Sequence, residues 1–199
     1  MIIGILGGTG AMGQGLATRW RKAGHEVWIG SRTPSTDTFT ETNGLVAEKA
    51  EVVVLAVPYS AQAETLHEVK PLVKDKLVIT AVVPLMPPKV ARVWRPEGSS
   101  AAQEAQAILD NGARVVAAFQ NIAAHHLQDL DHAIQSDVLI AGDKKADKEI
   151  AISLCEDAGM RGINAGALTN ASVVEGLTAV LIGINIREKV KGAGVKITW

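Results

Sequence analysis

Three glycines at positions 8, 10 and 13, inside Gly7-Gly8-Thr9-Gly10-Ala11-Met12-Gly13, have the spacing of a backbone that holds an anion. In such a pattern the first glycine bends the chain sharply from strand to helix. The second lets the backbone approach a pyrophosphate, and the third lets helix and strand pack closely. The same pattern also occurs in plain tight turns, so its meaning depends on its flanks. An apolar run, Ile2 to Leu6, precedes it, and Met12, Leu16 and Trp20 follow at intervals of four as one stripe of an amphipathic helix. Arg19, Arg21 and Lys22 fall at the end of that helix, where the dipole favours cations, and Gly24 stops it. A helix that opens on the glycine turn offers free N–H groups to phosphate oxygens. These flanks point to a bound dinucleotide.

The end of the next strand, Val27 to Ile29, indicates which one. An NAD site usually carries Asp or Glu there to accept the ribose hydroxyls, and that carboxylate would repel a 2'-phosphate. Here the residues are Gly30, Ser31 and Arg32. A hydroxyl and a forked guanidinium suit a phosphate, so NADP is the expected cofactor.

Other reactive side chains form no such set. His125, His126 and His132 lie near Asp129 and Asp131, yet adjacent helical residues point about 100° apart and no Cys or H-E-x-x-H pattern accompanies them, so no metal is expected. The single cysteine, Cys155, excludes an internal disulfide and sits in an apolar helical stretch as a small core side chain. A net charge of −1 and a pI near 6.5 give no broad basic field, so nucleic acid is not an expected partner. No run reaches the ~18 consecutive apolar residues of a membrane span, and no basic segment precedes the first strand. A cytoplasmic protein without membrane attachment is expected.

Placing these residues takes alternating elements. After the first unit come Val52 to Val57, Leu77 to Val83, Val115 to Phe119 and Val138 to Ala141, short Val- and Ile-rich runs of the kind buried on both faces of a sheet. Helical patterns lie between them at Ala61 to Val69, Ser100 to Leu109 and Lys145 to Asp157, the second opening with Ser100 and Gln103 at capping-box spacing. The expected fold is α/β, a Rossmann-type, mostly parallel sheet with a small C-terminal helical part. The stretch 33–44 has neither a helical stripe nor a β run and reads as a loop, which leaves the second strand near a sheet edge. From Leu168 to Val190 one long helix is apolar on more than one face, through Val173, Val174, Leu177, Val180, Leu181, Ile184 and Ile186. So wide a stripe needs cover on several sides, and self-association into a homodimer would supply it. The division expected is 1–166 as the NADP-binding part and 167–199 as a helical segment for dimerisation and the substrate cleft.

The ordered set Ile5-Leu6-Gly7-Gly8-Thr9-Gly10, Ala23-Gly24-His25-Glu26-Val27, Gly30-Ser31-Arg32, Val54-Leu55-Ala56-Val57-Pro58-Tyr59, Val82-Val83-Pro84-Leu85, Phe119-Gln120-Asn121, Asp137-Val138-Leu139 and Lys191-Gly192-Ala193-Gly194-Val195-Lys196-Ile197-Thr198 resembles the family of NADPH-dependent reductases of the deazaflavin coenzyme F420. The likeness runs nearly end to end. It implies a hydride passed between NADP(H) and coenzyme F420 with the two rings stacked in a cleft. By that likeness Gly8, Thr9, Gly10, Ala11 and Met12 would hold the pyrophosphate, and Thr9, Ser31 and Arg32 the 2'-phosphate. Val57, Pro58 and Tyr59 would flank the nucleotide, with Val83 and Pro84 beneath it. Gln120, Asn121, Ile122 and Ala123 would approach the deazaflavin.

Some members carry His where Gln120 stands, so no protonatable group is required there, and no catalytic side chain is expected beyond those that position the rings. The basic residues Arg187, Lys189, Lys191 and Lys196 are a solvated face or a contact for the acidic tail of the deazaflavin. With no helix in 33–44, the preference for NADP over NAD rests on Ser31 and Arg32. Two other readings fit the residues. One is an NADP-dependent reductase of another small substrate. A β-hydroxyacid dehydrogenase, however, would place Lys four residues before Asn on the later helix, and here Leu181 precedes Asn185 and Gly166 precedes Asn170. The other is a non-catalytic NADP sensor, which would bind NADPH without oxidising it.

Overall fold

A computed structural model describes residues 1–34 and 39–199. The opening apolar run forms β1 (Ile2–Leu6), and the amphipathic stripe behind it forms α1 (Ala11–Lys22). There follow β2 (Glu26–Ser31), β3 (Thr40–Thr42), α2 (Asn43–Lys49), β4 (Val52–Leu55), α3 (Tyr59–Val69) and β5 (Leu77–Thr80). Then come α4 (Ala101–Leu109), β6 (Arg114–Ala117), α5 (Ala124–Gln128), β7 (Val138–Gly142), α6 (Lys145–Asp157), β8 (Gly162–Asn164) and α7 (Ala171–Glu188). One eight-stranded sheet runs in the order β3-β2-β1-β4-β5-β6-β7-β8. Every pair is parallel except β6 with β7. The order reverses between β1 and β4, and a crevice opens at that switch point beyond the carboxyl ends of the strands.

The Val- and Ile-rich runs are explained by burial on both faces. Alternate residues of one strand enter two separate cores: Ile3 and Ile5 pack with α1 and α6, through Leu16, Trp20, Leu154 and Cys155. On the other face Leu6, Val53 and Leu55 meet Val46 of α2, Leu66 of α3 and Ala105 of α4. Trp20 is fully buried, donates its indole N–H to the Leu154 carbonyl at 2.7 Å and meets Phe119 edge-on at 5.8 Å. Cys155 is fully buried too, and desolvation pushes its thiol far above the usual range, which fits a core side chain and not a nucleophile.

Three features differ from the sequence reading. The stretch 33–44 is not all loop: β3 pairs with β2 through Ile29–Thr40 to Ser31–Thr42 and takes the sheet edge, which leaves β2 next to it. Helix α2 begins immediately afterwards, with the Thr42 hydroxyl accepting from the Leu45 N–H at 3.3 Å as its N-cap. A three-residue strand and a seven-residue helix are too short to show a period, and residues 35–38 of that stretch lie outside the described ones. The short β8 escaped notice for the same reason.

Arg19, read with Arg21 and Lys22 only as a cation at the C-terminal end of α1, is the second difference. It turns inward, 8% exposed, and donates to the carbonyls of His126, Leu127, Asp129, His132 and Ala158. Third, the long C-terminal helix starts as a 3-10 turn, Leu168–Asn170, before α7. By length and composition alone this helix could cross a membrane, with mean hydropathy 1.3, and a third of that window is buried in the fold. Val174, Glu175, Ala179 and Leu181 form its inner face, while Val173, Val180 and Ile186 stand exposed.

Candidate functional site

The glycine turn is built by close backbone approach. Gly7 has φ +67°, and a β-carbon there would lie 2.4 Å from a Val57 methyl. A β-carbon on Gly13 would lie 2.4 Å from the Gly8 α-carbon, so helix and turn can meet only without side chains. Above Gly10, by contrast, the nearest atom to such a β-carbon is 4.0 Å away, which leaves open space over the turn. Gly10 is the N-cap of α1 and no side chain caps that helix, so its first turn offers unclaimed donors to the space. The Asn43 side-chain oxygen accepts from the Gly7 N–H at 3.2 Å and fixes the turn against α2.

The open space continues into a cavity of about 680 Å³. Thr9, Gly10, Ala11 and Met12 form one wall, and Ser31, Arg32 and Thr33 a second. Ala56, Val57 and Pro58 at the end of β4 close the inner side, and Ser60, Ala61, Glu64, Thr65 and Glu68 of α3 face the second wall. Arg32 is exposed and, among the described lining residues, is the single cation. Ser31 closes a tight turn, its hydroxyl accepting from the Thr33 N–H at 3.2 Å. An uncapped helix start, an open glycine turn and a guanidinium around one cavity fit an NADP-type dinucleotide, with pyrophosphate at α1 and 2'-phosphate at Arg32.

Not every expected residue reaches this cavity. Gly8 is buried beneath the turn, its N–H donating to the Gly30 carbonyl at 3.1 Å. Tyr59 points instead toward α4: its hydroxyl donates to Glu104 at 2.8 Å, and its ring meets Trp94 edge-on at 5.7 Å. Burial and the Glu104 carboxylate push that phenol up to about 12. Val83 and Pro84 lie past the end of β5, and Ala81 lines the cavity in their place.

The segment after β6 adjoins the cavity through Gln120. This side chain is 3% exposed and donates to the Thr80 carbonyl at 2.8 Å, next to Ala81, while its own amide oxygen has no partner. The Thr178 hydroxyl on α7 donates to the Gln120 carbonyl at 2.8 Å. Asn121 is wholly engaged: it donates to the Asp137 carbonyl at 2.6 Å and accepts from the Leu139 N–H at 3.2 Å. Ile122 belongs to the core, and Ala123 is the half-buried N-cap of α5. Asn121 and Ile122 therefore hold the segment, half-buried Ala123 is its most accessible member, and Gln120 is buried with one amide oxygen left unpartnered.

Sequence reasoning missed Asn43, Glu64 and Glu68. The Thr42 cap could have revealed the first, and helical spacing from Ala61 the other two.

Two titratable groups lie outside the cavity. Glu175, on the inner face of α7, accepts from the Ala101 and Ala102 N–H groups at 2.8 and 3.0 Å and so caps α4. Burial pushes its carboxyl up to about 7 despite those bonds. The rings of His125, His126 and His132 gather at 4.2 and 4.1 Å, where burial and the two neighbours lower His126. Among the described residues no His, Cys, Asp and Glu group has a metal-holding arrangement.

Residues 2–84, from β1 past β5, match the family model described as NADP oxidoreductase coenzyme F420-dependent. The "F420-dependent NADP reductase" of Methanothermobacter marburgensis is 38% identical, covering 100% of this chain and 98% of that protein. The protein of the same name from Methanocaldococcus jannaschii is 34% identical, again covering 100% and 98%. A crystal structure from Arthrobacter sp. FB24 superposes with a TM-score of 0.84 at 25% identity over 99% of each chain. Identity at this level over the full length, on a fold whose glycine turn and cavity suit NADP, shows that the chain belongs to the F420-dependent NADP reductase family.

Proposed function

We propose that this protein transfers a hydride between NADP(H) and coenzyme F420, and that its side chains act by holding the two rings in register. The observation that carries the reading is continuity. Ala81 lines the cavity that suits NADP, and the carbonyl of the residue before it, buried Thr80, holds Gln120 of the segment expected to meet the deazaflavin. The two coenzymes supply the redox chemistry: a hydride leaves C4 of the nicotinamide and is taken up at C5 of the deazaflavin, with one proton from water. What remains for the protein is orientation and exclusion of water.

Thr9 to Met12 hold the pyrophosphate and Ser31 and Arg32 the 2'-phosphate. Val57 and Pro58 support the nicotinamide side, and Gln120 and Ala123 meet the deazaflavin, with Thr178 fixing the Gln120 backbone. Residues 1–166 serve as the NADP-binding part. Residues 167–199 close the substrate cleft and carry the contact between two copies of a cytoplasmic homodimer. The exposed residues Val173 and Val180 lie one heptad apart on α7 with half-buried Leu177 and Ile184 between and beyond them, a 3-4 spacing that suits packing against a second helix.

Stopped-flow loss of the oxidised deazaflavin's visible band, with NADPH deuterated in turn on each face of C4, tests the reaction. Deuterium from one face is expected at C5 of the reduced deazaflavin. Label lost to water rejects direct transfer, and no reduction by NADPH-loaded protein rejects the activity.

A further inference from the structure

We propose that Glu64 reads the base of the dinucleotide, accepting the exocyclic amine of adenine, and so selects 6-aminopurine cofactors. The inference rests on NADP occupying this cavity. With pyrophosphate at the α1 N-terminus and the 2'-phosphate at Arg32, the base lies outward, between the Ser31 to Thr33 turn and α3. The α3 wall there is a single helical face, Ser60, Ala61, Glu64, Thr65 and Glu68.

Two carboxylates on the wall of a phosphate-binding cavity oppose the ligand's own charge, and at i, i+4 they also repel one another. Glu68, itself without a hydrogen bond or ion pair among the described residues, stands at the α2 end of the wall, its carboxylate 3.6 Å from where a β-carbon on Gly44 would lie. Glu64 makes no hydrogen bond or ion pair among the described residues, and it faces the cavity. Glu64 is exposed, so its carboxylate is hydrated until a nucleotide enters, and a donor on the base can take the place of that water. On the exposed edges of adenine the N6 amine is the donor; hypoxanthine carries a carbonyl oxygen at the same place, which a carboxylate repels, and its donor on that edge is the ring N1–H, displaced from the position of the amine.

Dissociation constants for NADPH and for its hypoxanthine analogue, read from nicotinamide fluorescence, test the assignment. The unmodified protein is expected to favour NADPH by about tenfold or more, the worth of one hydrogen bond to a charged group. Glu64→Ala brings the ratio toward one, and Glu64→Gln, whose amide can donate to the hypoxanthine oxygen, brings it to one or below. Glu68→Gln leaves the ratio as it was. Equal binding of both nucleotides by the unmodified protein overturns the proposal. So does a Glu64→Ala variant that weakens both in parallel, or a ratio that follows Glu68. If neither nucleotide binds, it is the NADP assignment of the cavity that fails, and the proposal falls with it.

Discussion

Gly13 and Gly8 touch through their backbones: a β-carbon on the first would sit 2.4 Å from the α-carbon of the second. No rotamer relieves that contact, because the obstacle is main chain. Gly13→Ala is therefore expected to push α1 away from the turn and displace the donors at its N-terminus. Overpacking of this kind costs about 1–3 kcal/mol, which for a domain of this size lowers the melting temperature by several degrees. NADPH affinity should fall more than stability does. Calorimetry together with NADPH titration measures both, and unchanged affinity would place the phosphates elsewhere.

Arg32→Ala is expected to weaken NADP(H) far more than NAD(H), because only the former carries a phosphate for the guanidinium to grip. The loss of a charge-assisted bond is worth about 1.5–3 kcal/mol, or roughly 10- to 150-fold in affinity. Ser31, whose hydroxyl also closes the turn with Thr33, offers the phosphate one neutral hydrogen bond and does not replace the guanidinium. Equal losses for both cofactors, measured by titration, would make Arg32 structural.

Much of the cavity was legible because its signals are local. The glycine turn, the strand before it and the Gly30-Ser31-Arg32 ending all fall in the first 32 residues, and continuous apolar runs mark strands buried on two faces. What escaped depends on distant partners. Asn121 looks like an exposed polar residue at a strand end, yet both ends of its amide are bound to backbone 16 and 18 residues away. Leu181 belongs to the apolar stripe of its helix, but its 6% exposure puts it inside the fold, whereas Val180 beside it is 44% exposed. Periodicity counts apolar residues around a helix; it does not say which faces the chain itself covers.

Arg19 is the strongest case, since its partners include carbonyls 107 and 139 residues away in sequence. Its guanidinium ties α1 to the segment from His126 to His132 and to the end of α6. Arg19→Met keeps the volume and strands these carbonyls, at a cost of about 2–4 kcal/mol. Arg19→Lys should rescue little, because one ammonium cannot span five acceptors. Hydrogen exchange should quicken locally over 126–132 in both variants, and uniform exchange across the chain would argue against this local role.

The buried carboxyl of Glu175 gives the fold a pH dependence of definite sign. Its pKa rises from 4.5 in the unfolded chain to about 7 in the folded one, chiefly by burial. Between those values the folded state holds the extra proton, so stability falls as pH rises through the window. The full change is about 3 kcal/mol, reached above pH 7. Glu175→Gln keeps one acceptor for the α4 N-terminus and should flatten the slope between pH 4.5 and 7 in urea titrations. A slope unchanged by the substitution would assign the dependence to another group.

Helix α7 tests the assembly. Its inner face is anchored by Glu175 on α4 and by Thr178 on Gln120, which leaves Val173 at 65% and Val180 at 44% exposure with apolar Leu177 between them. Val93, on the loop after β5, packs beside Gly176 and extends the apolar surface with Trp94 and Met86. A continuous patch of this kind on a monomer marks an interaction surface, and an obligate dimer interface resembles a divided core. Sedimentation at micromolar concentration is expected to show a dimer. Val180→Arg should give a folded monomer, because the residue points away from its own core, whereas Leu181→Arg should unfold the chain. Since Gly176 and Thr178 share this helix, dissociation is also expected to raise KM for the deazaflavin while leaving NADPH affinity unchanged. A monomeric unmodified protein would remove the interface, and a dimeric Val180→Arg variant would move it to another face.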